Sequence, residues 1–359
     1  MRPGNCGHWS SVAATEFELI GRYFNRPELV FAHPDVVLGP GDDAAILAQH
    51  TGRQLVVSVD TLNVGVHFPA DAPPALLAER CLRVNLSDLA AMGAEPLGFT
   101  LALSMPTASA CWLQGFSDGL ARVARQFNCP LLGGDTTRGP LSITVQVHGQ
   151  VPVDQALRRS GARAGDLIYV TGELGCGAAA LWYLQNSELF QARDISAAEH
   201  SRWLAAFYQP QPRLAEGQAL RTLASAALDI SDGIASDLKH LLRASTLEGG
   251  ETLGAVLDSR RLPVSDDFQQ RVPADQQVAL ALGGGDDYEL CVCVAPGNEA
   301  AAISALAALG TPFHCIGHID TGSGIRLIDR DGGCTTMPDG GYRHFAEQSG
   351  AAHGAGVRP

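Results

Sequence analysis

Two hydrophobic periods alternate along the chain, and together they predict a fold that mixes helices and strands. Between residues 112 and 127, large apolar side chains recur at steps of four, four, three and four, which is typical of a helix with one buried face. Between residues 142 and 149, apolar and polar positions alternate, as in a half-buried strand. Further helices are expected over 17–23, 74–92, 178–184, 214–223, 234–242 and 301–309, and further strands over 55–61, 98–104, 130–134, 167–171, 290–294 and 325–328. This alternation predicts an α+β or α/β protein.

A break in the pattern near residues 151–160 divides the chain into two parts. We expect a flexible extension over 1–15, an N-terminal domain over 16–150, a C-terminal domain over 151–345 and a disordered tail over 346–359. Both predicted domains carry an aspartate-rich turn beside a helix, which suggests two related domains that face one cleft.

Six aspartate clusters lie where a predicted strand or helix meets a turn. They are Asp42 with Asp43, Asp60, Asp88, Asp135, Asp229 with Asp232, and Asp286 with Asp287. Any one of them has an ordinary structural explanation, since aspartate side chains cap turns and helices. Six converging clusters would repel one another unless cations neutralised them. Oxygen ligands without a Cys or His cluster favour Mg²⁺ over zinc, and Mg²⁺ sites usually include substrate phosphates.

The composition argues against several other classes of protein. The chain has 359 residues, of which 46% are hydrophobic and 18% charged, and its net charge of −13 argues against a nucleic-acid-binding surface. We expect neither a signal peptide nor a membrane-spanning segment, because no apolar run has the required length. The nine cysteines include no Cys-x-x-Cys pair, which argues against a disulfide framework or zinc site and favours a cytoplasmic location.

Several familiar motifs are missing from the sequence. It contains no Walker A sequence, no protein-kinase glycine-rich signature and no Gly-x-Ser-x-Gly. The glycine-rich segment 172–177 matches a dinucleotide fingerprint only loosely. If this chain uses ATP, it therefore binds ATP through another fold.

The ordered acidic motifs resemble the thiamine-monophosphate kinase family of the aminoimidazole-ribonucleotide-synthetase-like ATP-binding superfamily. The resemblance runs from about residue 16 to residue 345. Its main carriers are Gly-Pro-Gly-Asp-Asp at 39–43, Ser-Val-Asp-Thr-Leu at 58–62, Asn-Leu-Ser-Asp-Leu-Ala-Ala-Met-Gly-Ala at 85–94, Gly-Gly-Asp-Thr-Thr-Arg-Gly-Pro-Leu at 133–141, Asp-Ile-Ser-Asp-Gly at 229–233 and Asp-Asp-Tyr-Glu-Leu at 286–290. It implies ATP-dependent transfer of the γ-phosphate to thiamine monophosphate, which gives thiamine diphosphate.

The same resemblance implies an architecture. The fold is expected to be α+β with two domains. The N-terminal domain, which would bind ATP and Mg²⁺, would also form a homodimer whose strands close a β-barrel across the two-fold axis. The C-terminal domain is expected to be α/β, with the active site in the cleft between the domains.

The resemblance also assigns roles to individual residues. The residues expected to ligand several Mg²⁺ ions are Asp43, Ser58, Val59, Asp60, Asp88, Asp135, Asp229 and Asp232. The residues expected to contact ATP are Gly134, Asp135, Arg159 and Ser231. The residues expected to contact thiamine monophosphate are His67, Asp286 and Tyr342. Among the carboxylates, Asp88, Asp135 and Asp232 are expected to act in catalysis.

Two positions depart from the family pattern. Val59 stands where the family often has threonine, so position 59 offers a metal only its backbone carbonyl. Asp286 stands where the family has glutamate, which keeps the charge on a side chain one methylene shorter.

The implied chemistry requires no protein base. A phosphate monoester has a second pKa of about 6, so the acceptor oxygen is already ionised at neutral pH. The barrier is instead the approach of two polyanions, which Mg²⁺ ions and Arg159 would screen and align. His67 is therefore interpreted as a binding residue, with structural packing as the alternative.

Other functions remain as alternatives. A selenophosphate synthetase would need a reactive cysteine and a nearby lysine in a glycine-rich N-terminal loop, which Cys6-Gly-His-Trp fits poorly. Aminoimidazole-ribonucleotide synthetases and hydrogenase maturation factors share the fold but not His67-Phe68 with Asp-Tyr-Glu-Leu. A phosphate-ester hydrolase and a non-catalytic thiamine-phosphate-binding protein belong to different functional classes.

Overall fold

A computed structural model describes residues 15–41, 43–185 and 195–337 of the chain, which form two compact units. The first unit comprises the described residues up to Leu89 together with Ala94–Asp154. The second comprises Ala90–Gly93 together with the described residues from Gln155 onward. Tyr342, the predicted tail and nearly all of the predicted extension lie outside the described residues.

The first unit combines one main sheet with two long helices. Its helices are α1 (Glu16–Leu19), which continues as a π-helical turn over Ile20–Phe24, α2 (Pro74–Ala91) and α3 (Ala110–Gln126). Its strands are β1 (Val36–Leu38), β2 (Ile46–Leu47), β3 (Arg53–Asn63), β4 (Glu95–Met105), β5 (Leu131–Arg138) and β6 (Ser142–Pro152). In the described chain, β1 pairs with β2, and the main sheet has the order β3-β6-β4-β5.

The main sheet of the first unit has one covered face and one open face. Paired residues across β6 and β4, such as Val145 with Leu101 and Ile143 with Leu103, are fully or nearly fully buried. Because side chains alternate along a strand, the intervening residues point to the other face. There Leu55, Val57 and Val59 of the edge strand β3 are 60%, 46% and 55% exposed. The sheet therefore presents a partly apolar open face.

Two predicted strand ends prove to be strand interiors. We expected Asp60 and Asp135 to lie where their strands end, but β3 continues to Asn63 and β5 continues to Arg138. Both strands are edges of the sheet, where one side of the backbone has no neighbouring strand. Edge positions tolerate charged side chains, so the polar residues did not end the strands.

The second unit contains a larger mixed sheet covered by helices. Its strands are β7 (Leu167–Thr171), β8 (Ala224–Asp229), β9 (Leu253–Asp258), β10 (Leu290–Val294), β11 (Phe313–Thr321), β12 (Gly324–Ile328) and β13 (Cys334–Thr336). Its described helices are α4 (Cys176–Gln185), α5 (Ala197–Tyr208), α6 (Leu214–Leu220), α7 (Ile234–Gly249), α8 (Asp266–Arg271), α9 (Ala274–Gly283) and α10 (Glu299–Ala308). The strand order is β13-β12-β9-β11-β7-β10-β8.

Strand directions bring the loops of the second unit to one edge of its sheet. Strand β10 is antiparallel to both β7 and β8, so β7 and β8 run in the same direction. The loop after β7, the loop after β8 and the segment before β10 therefore share one edge. These are 172–177, 229–233 and 286–289, which include two of the predicted acidic motifs.

The structure confirms most of the predicted elements and corrects others. The strands at 167–171 and 290–294 are confirmed. The helix predicted over 214–223 ends at Leu220, because the chain enters β8 at Ala224. Strands β9 and β11 were not predicted from the sequence. Seven cysteines among the described residues are free thiols, but Cys111 is disulfide-bonded, which was not predicted.

No helix in the described part of the chain is both long and apolar enough to cross a membrane.

Candidate functional site

Asp88 and Ser58 are brought together by helix α2 and strand β3. Ser58 lies on the covered face of the sheet, and its hydroxyl donates a hydrogen bond of 2.5 Å to Asp88 Oδ2. Asp88 is half-buried near the C-terminal end of α2, whose apolar residues Leu86 and Leu89 are fully buried. Helical spacing therefore fixes Asp88 while the sheet fixes Ser58. The two predicted metal ligands form a rigid pair.

Asn85 links the same helix to the next predicted ligand. This fully buried side chain accepts a hydrogen bond of 3.0 Å from the backbone N–H of Asp60 and donates one of 2.8 Å to the Cys81 carbonyl. The Asp60 side chain points to the covered face but is exposed at the sheet edge, whereas Val59 points to the open face. Asn85 thus holds the β3 edge one helical turn from Asp88. Asn85 belongs to the motif at 85–94, but no role was predicted for it.

Asp135 lies elsewhere on the same sheet. It is exposed on β5, the edge opposite β3, and its register partner Ala102 pairs in turn with Thr144 of β6. This row belongs to the open face. Three strand spacings separate β3 from β5, which corresponds to about 14 Å. A single subunit therefore does not place Asp135 beside Asp60.

Gly134 occupies a position that no larger residue fits. Its φ is +155°, and a Cβ at this position would lie 1.9 Å from the Leu101 carbonyl oxygen. Gly133 has open space at the corresponding point. The second glycine of the Gly-Gly-Asp motif is thus required by backbone packing.

We expect Gly134→Ala to destabilise the first unit by about 2 kcal/mol or more, because the backbone of β5 must move away from β4. Gly133→Ala is the matched control and should change the free energy of unfolding by less than about 0.5 kcal/mol. Urea unfolding of both variants measures the difference. Equal effects at the two positions would contradict the packing argument.

Asp43 and His67 lie in turns of the first unit. Asp43 is exposed in the turn between β1 and β2. His67 is half-buried, and its Nδ1 accepts a hydrogen bond of 3.0 Å from the backbone N–H of Asn63. A neutral imidazole with an accepting Nδ1 carries its hydrogen on Nε2. His67 therefore shapes its turn through Nδ1, and its hydrogen is on Nε2.

The loop after β8 gathers three carboxylates in the second unit. Asp229 is buried at the end of β8, and Asp232 is half-buried in the following turn. Asp237, in the first turn of α7, accepts hydrogen bonds of 3.0 Å from the backbone N–H groups of both Ser231 and Asp232. Burial, together with the charges of Asp232 and Asp229, raises the pKa of Asp237 to about 7. Asp237 was not predicted, although an acidic residue in a first helical turn was a usable signal.

Asp286 packs directly against this loop. Its backbone N–H donates to the Ser231 carbonyl at 2.9 Å, and its carboxylate accepts a hydrogen bond of 3.1 Å from the Tyr288 hydroxyl. Asp286 and Tyr288 have φ values of +68° and +51°, which are uncommon for residues other than glycine. Strained backbone of this kind is frequent at functional sites. The structure therefore brings together two motifs that lie more than 50 residues apart in sequence.

Arg159 lies along the outer edge of β8. The preceding Arg158 carbonyl accepts a hydrogen bond of 2.8 Å from Ala227 N–H, two residues before Asp229. The Arg159 side chain is exposed, and its carbonyl accepts a hydrogen bond of 3.3 Å from the Ser245 hydroxyl. Tyr342, the third predicted substrate residue, lies outside the described residues.

Asp287 has a structural role beside the site. Its buried carboxylate accepts hydrogen bonds from the N–H groups of Gly175 and Gly177, at 2.7 and 3.1 Å. Burial raises the pKa of Asp287 well above its ordinary value, and the charges of Glu289 and Asp286 act in the same direction. The N-terminus of α4 is therefore satisfied by a protein side chain. The glycine-rich segment 172–177 is not arranged as a dinucleotide-binding loop.

The acidic groups have the ligand chemistry that Mg²⁺ prefers, but the described residues do not form a complete metal site by themselves. Among the described residues, no three His, Cys, Asp or Glu side chains are arranged to hold a metal ion by themselves. Mg²⁺ usually keeps several waters and takes one or two carboxylates plus substrate phosphates. The Ser58–Asp88 pair and the carboxylates around 229–237 supply hard oxygen ligands of this type, and the charges at 229–237 repel one another. These residues therefore fit a Mg²⁺–phosphate complex.

Comparison with protein families matches both units. Residues 41–151 match the N-terminal domain of AIR synthase related proteins, and residues 163–330 match their C-terminal domain. Together these segments cover more than half of the chain.

Comparison with individual proteins gives a more specific similarity. The chain is 46% identical over 335 residues to the thiamine-monophosphate kinase of Escherichia coli (strain K12), covering 93% of this chain and 99% of that protein. The crystal structure of thiamine-monophosphate kinase from Stenotrophomonas maltophilia K279a superposes with a TM-score of 0.78 at 42% identity, covering 90% of this chain and 99% of the other.

Two further structures share the fold. AaThiL complexed with AMPPCP and TMP superposes with a TM-score of 0.71 at 25% identity and covers 83% of this chain and 89% of its own. The hydrogenase maturation protein HypE in complex with ATP superposes with a TM-score of 0.68 at 17% identity, covering 90% of this chain and 95% of its own. At 17% identity the second similarity establishes the fold alone.

Proposed function

This chain belongs to the thiamine-monophosphate kinases, within the AIR synthase related proteins, and we propose that it transfers the γ-phosphate of ATP to thiamine monophosphate, giving thiamine diphosphate and ADP. The observation that carries the proposal is 46% identity over 93% of the chain to a thiamine-monophosphate kinase. AaThiL, which shares the fold at 25% identity, binds AMPPCP and TMP together. The acidic groups described above provide ligands suited to Mg²⁺ and phosphates.

The nucleotide and metal roles are divided between the two units. In the first unit, the proposed ligands are Asp43, Ser58, the Val59 carbonyl, Asp60, Asp88 and Asp135. In the second unit, they are Asp229 and Asp232, with Ser231 and Arg159 contacting ATP. Gly134 would bring its backbone close to ATP. Because β3 and β5 are about 14 Å apart, we assign Asp135 and Asp60 to different ions. Asp88, Asp135 and Asp232 are the proposed catalytic carboxylates.

Three residues are proposed to contact thiamine monophosphate. His67 offers its Nε2 hydrogen, and Asp286 offers a carboxylate already oriented by Tyr288. Tyr342 is also proposed to contact thiamine monophosphate. The backbone N–H of Asp286 is held by the Ser231 carbonyl. The loop therefore fixes the point from which this side chain, one methylene shorter than glutamate, extends.

The proposed reaction is a direct in-line displacement. An ionised oxygen of thiamine monophosphate forms a bond to the γ-phosphorus as the bond between that phosphorus and ADP breaks. A monoester phosphate with a second pKa of about 6 requires no general base at neutral pH. The protein's task is to align two polyanions, and Arg159 supplies a positive charge for this purpose. Bound Mg²⁺ would supply charge neutralisation and hold the phosphate oxygens.

The open face of the first unit supports a homodimer. Leu55, Val57 and Val59 expose apolar side chains on an edge strand, and such edges and patches are usually covered in native proteins. We propose that two copies pair through this sheet and together close the β-barrel expected from the family resemblance. A two-fold axis would give both unpaired edge strands, β3 and β5, a neighbouring strand from the other copy.

A phosphoryl-transfer assay tests the proposed function. The purified chain is incubated with ATP, Mg²⁺ and thiamine monophosphate, and the products are separated by chromatography. We expect thiamine diphosphate and ADP in equal amounts, and neither product without the acceptor. Phosphate release without ATP would instead indicate a hydrolase. Binding of thiamine monophosphate without turnover would indicate a non-catalytic binding protein, and both results would overturn the proposal.

A further inference from the structure

Asp43 lies in a turn whose flanking strands, β1 and β2, form a hairpin too small to fix its own position. Strands β1 and β2 contain three and two residues, and within the described part of the chain they pair only with each other. Val37 and Ile46 are 67% and 50% exposed, so the hairpin contributes little burial of its own. An isolated two-stranded hairpin is at best marginally stable in water. Contacts outside the strands must therefore hold Asp43 in place.

A buried carboxylate at the base of the hairpin provides these contacts. Asp35, immediately before β1, is 8% exposed. Its Oδ1 lies 2.5 Å from His50 Nε2, and its Oδ2 accepts a hydrogen bond of 3.2 Å from Gln150 Nε2. Its backbone carbonyl accepts a hydrogen bond of 2.8 Å from Ala48 N–H. Asp35 therefore joins the two ends of the hairpin to each other and to strand β6.

His33 completes the cluster without forming a metal site. Its Nδ1 accepts a hydrogen bond of 3.2 Å from the Asp35 backbone N–H, so this nitrogen carries no hydrogen and its lone pair is engaged. Burial lowers the pKa of His33, and the nearby charge of Asp35 offsets part of that effect. The cluster is thus a hydrogen-bonded base for the hairpin.

We propose that Asp35 and His50 form a clamp that positions the β1–β2 hairpin, and with it Asp43, for the nucleotide and its metal ion. The clamp residues touch no reacting group, so they are positioning residues. The identity of the ligand rests on the proposed function, whereas the clamp itself rests only on the contacts of Asp35. The hairpin ends lie 15 residues apart in sequence, and the clamp closes the segment between them.

Substitution of His50 tests the clamp through two measurements. His50→Ala removes one arm, and we expect amide hydrogen exchange in residues 36–48 to increase about 10-fold or more, because a hydrogen bond to a charged group is lost. The dissociation constant for Mg²⁺ with a non-hydrolysable ATP analogue, measured by calorimetry, should rise by about the same factor. The KM for ATP should rise while the KM for thiamine monophosphate stays unchanged. Exchange in β4 and β6 should not change.

Two variants control the experiment. His50→Gln keeps an amide donor for Asp35 and should restore most of the exchange protection and nucleotide affinity. His240→Ala removes an exposed histidine from α7 and should change neither. Unchanged exchange in His50→Ala would overturn the clamp, and faster exchange with unchanged nucleotide affinity would overturn its positioning role. A wild-type protein without kinase activity would overturn the proposed function, while the exchange measurement would still decide the clamp.

Discussion

Asp88→Asn is expected to lower kcat/KM for thiamine diphosphate formation by about 10²- to 10³-fold. Asparagine has nearly the same size, and its amide oxygen still accepts the Ser58 hydrogen bond that now measures 2.5 Å. Leu86 and Leu89 keep α2 anchored because both are fully buried. The substitution therefore removes a negative charge without removing the packing. If Asp88 ligands Mg²⁺, the Mg²⁺ concentration for half-maximal activity should also rise.

The matched control is Asp71→Asn, in the segment between β3 and α2. Asp71 is exposed and has no assigned role, so this variant should retain activity within about twofold of wild type, since exposed substitutions away from special features are usually mild. Steady-state kinetics over a range of Mg²⁺ concentrations compares the two. An Asp88→Asn enzyme that keeps more than a third of wild-type activity would rule out Asp88 as a catalytic metal ligand.

Arg213→Met is expected to destabilise the second unit by about 3–5 kcal/mol. Arg213 forms two hydrogen bonds of 2.6 Å to the two carboxylate oxygens of Glu289, and the Thr171 hydroxyl donates a third bond of 2.6 Å. The Arg213 and Glu289 side chains are 16% and 11% exposed. Removal of the guanidinium leaves a buried carboxylate without its positive partner. Urea unfolding followed by circular dichroism measures the loss.

Arg202→Met provides a control with the same change in a different environment. Arg202 also forms two hydrogen bonds to one carboxylate, that of Asp267, but its side chain is 58% exposed. An exposed pair is worth about 0–1 kcal/mol, so this variant should be nearly as stable as wild type. The double variant with Arg213→Met and Glu289→Leu should recover part of the loss, because the buried Glu289 charge is removed, while the buried Glu216 carboxylate, which lies 3.5 Å from Arg213, still loses its partner. Equal destabilisation by Arg213→Met and Arg202→Met would contradict the burial argument.

The Arg213–Glu289 ion pair also contacts the proposed metal-binding loop, through the Glu289 backbone. Glu289 ends the Asp-Asp-Tyr-Glu motif, and its carbonyl accepts a hydrogen bond of 2.8 Å from Ile230 N–H in the metal-binding loop proposed here. Asp287, two residues earlier, caps α4. Only Asp286 of this motif has a proposed substrate contact. Sequence similarity covers the whole motif, whereas the structure shows that Asp287 and Glu289 make buried structural contacts.

The sequence by itself determined the local elements and the chemistry of the site. Periodicity predicted α3 and β6 because a buried face imposes a fixed spacing on apolar residues. The Asp-rich motifs indicated oxygen ligands for Mg²⁺ and phosphate because residue type sets ligand hardness. Asp88 and Asp232 are proposed as ligands on this basis. These inferences require only information that lies within a few turns of the chain.

Tertiary structure alone decided which of these groups are neighbours. Asp60 and Asp135 look equivalent in sequence, but strand order places them on opposite edges of one sheet and alternation places their side chains on opposite faces. Asp286 meets Ser231 only because β10 pairs with β8, and Asp35 meets Gln150 across 115 residues. Strand order and register follow from the free energy of packing the whole chain, to which distant segments contribute together. No local pattern encodes that sum, so the chemistry could be predicted but its arrangement could not.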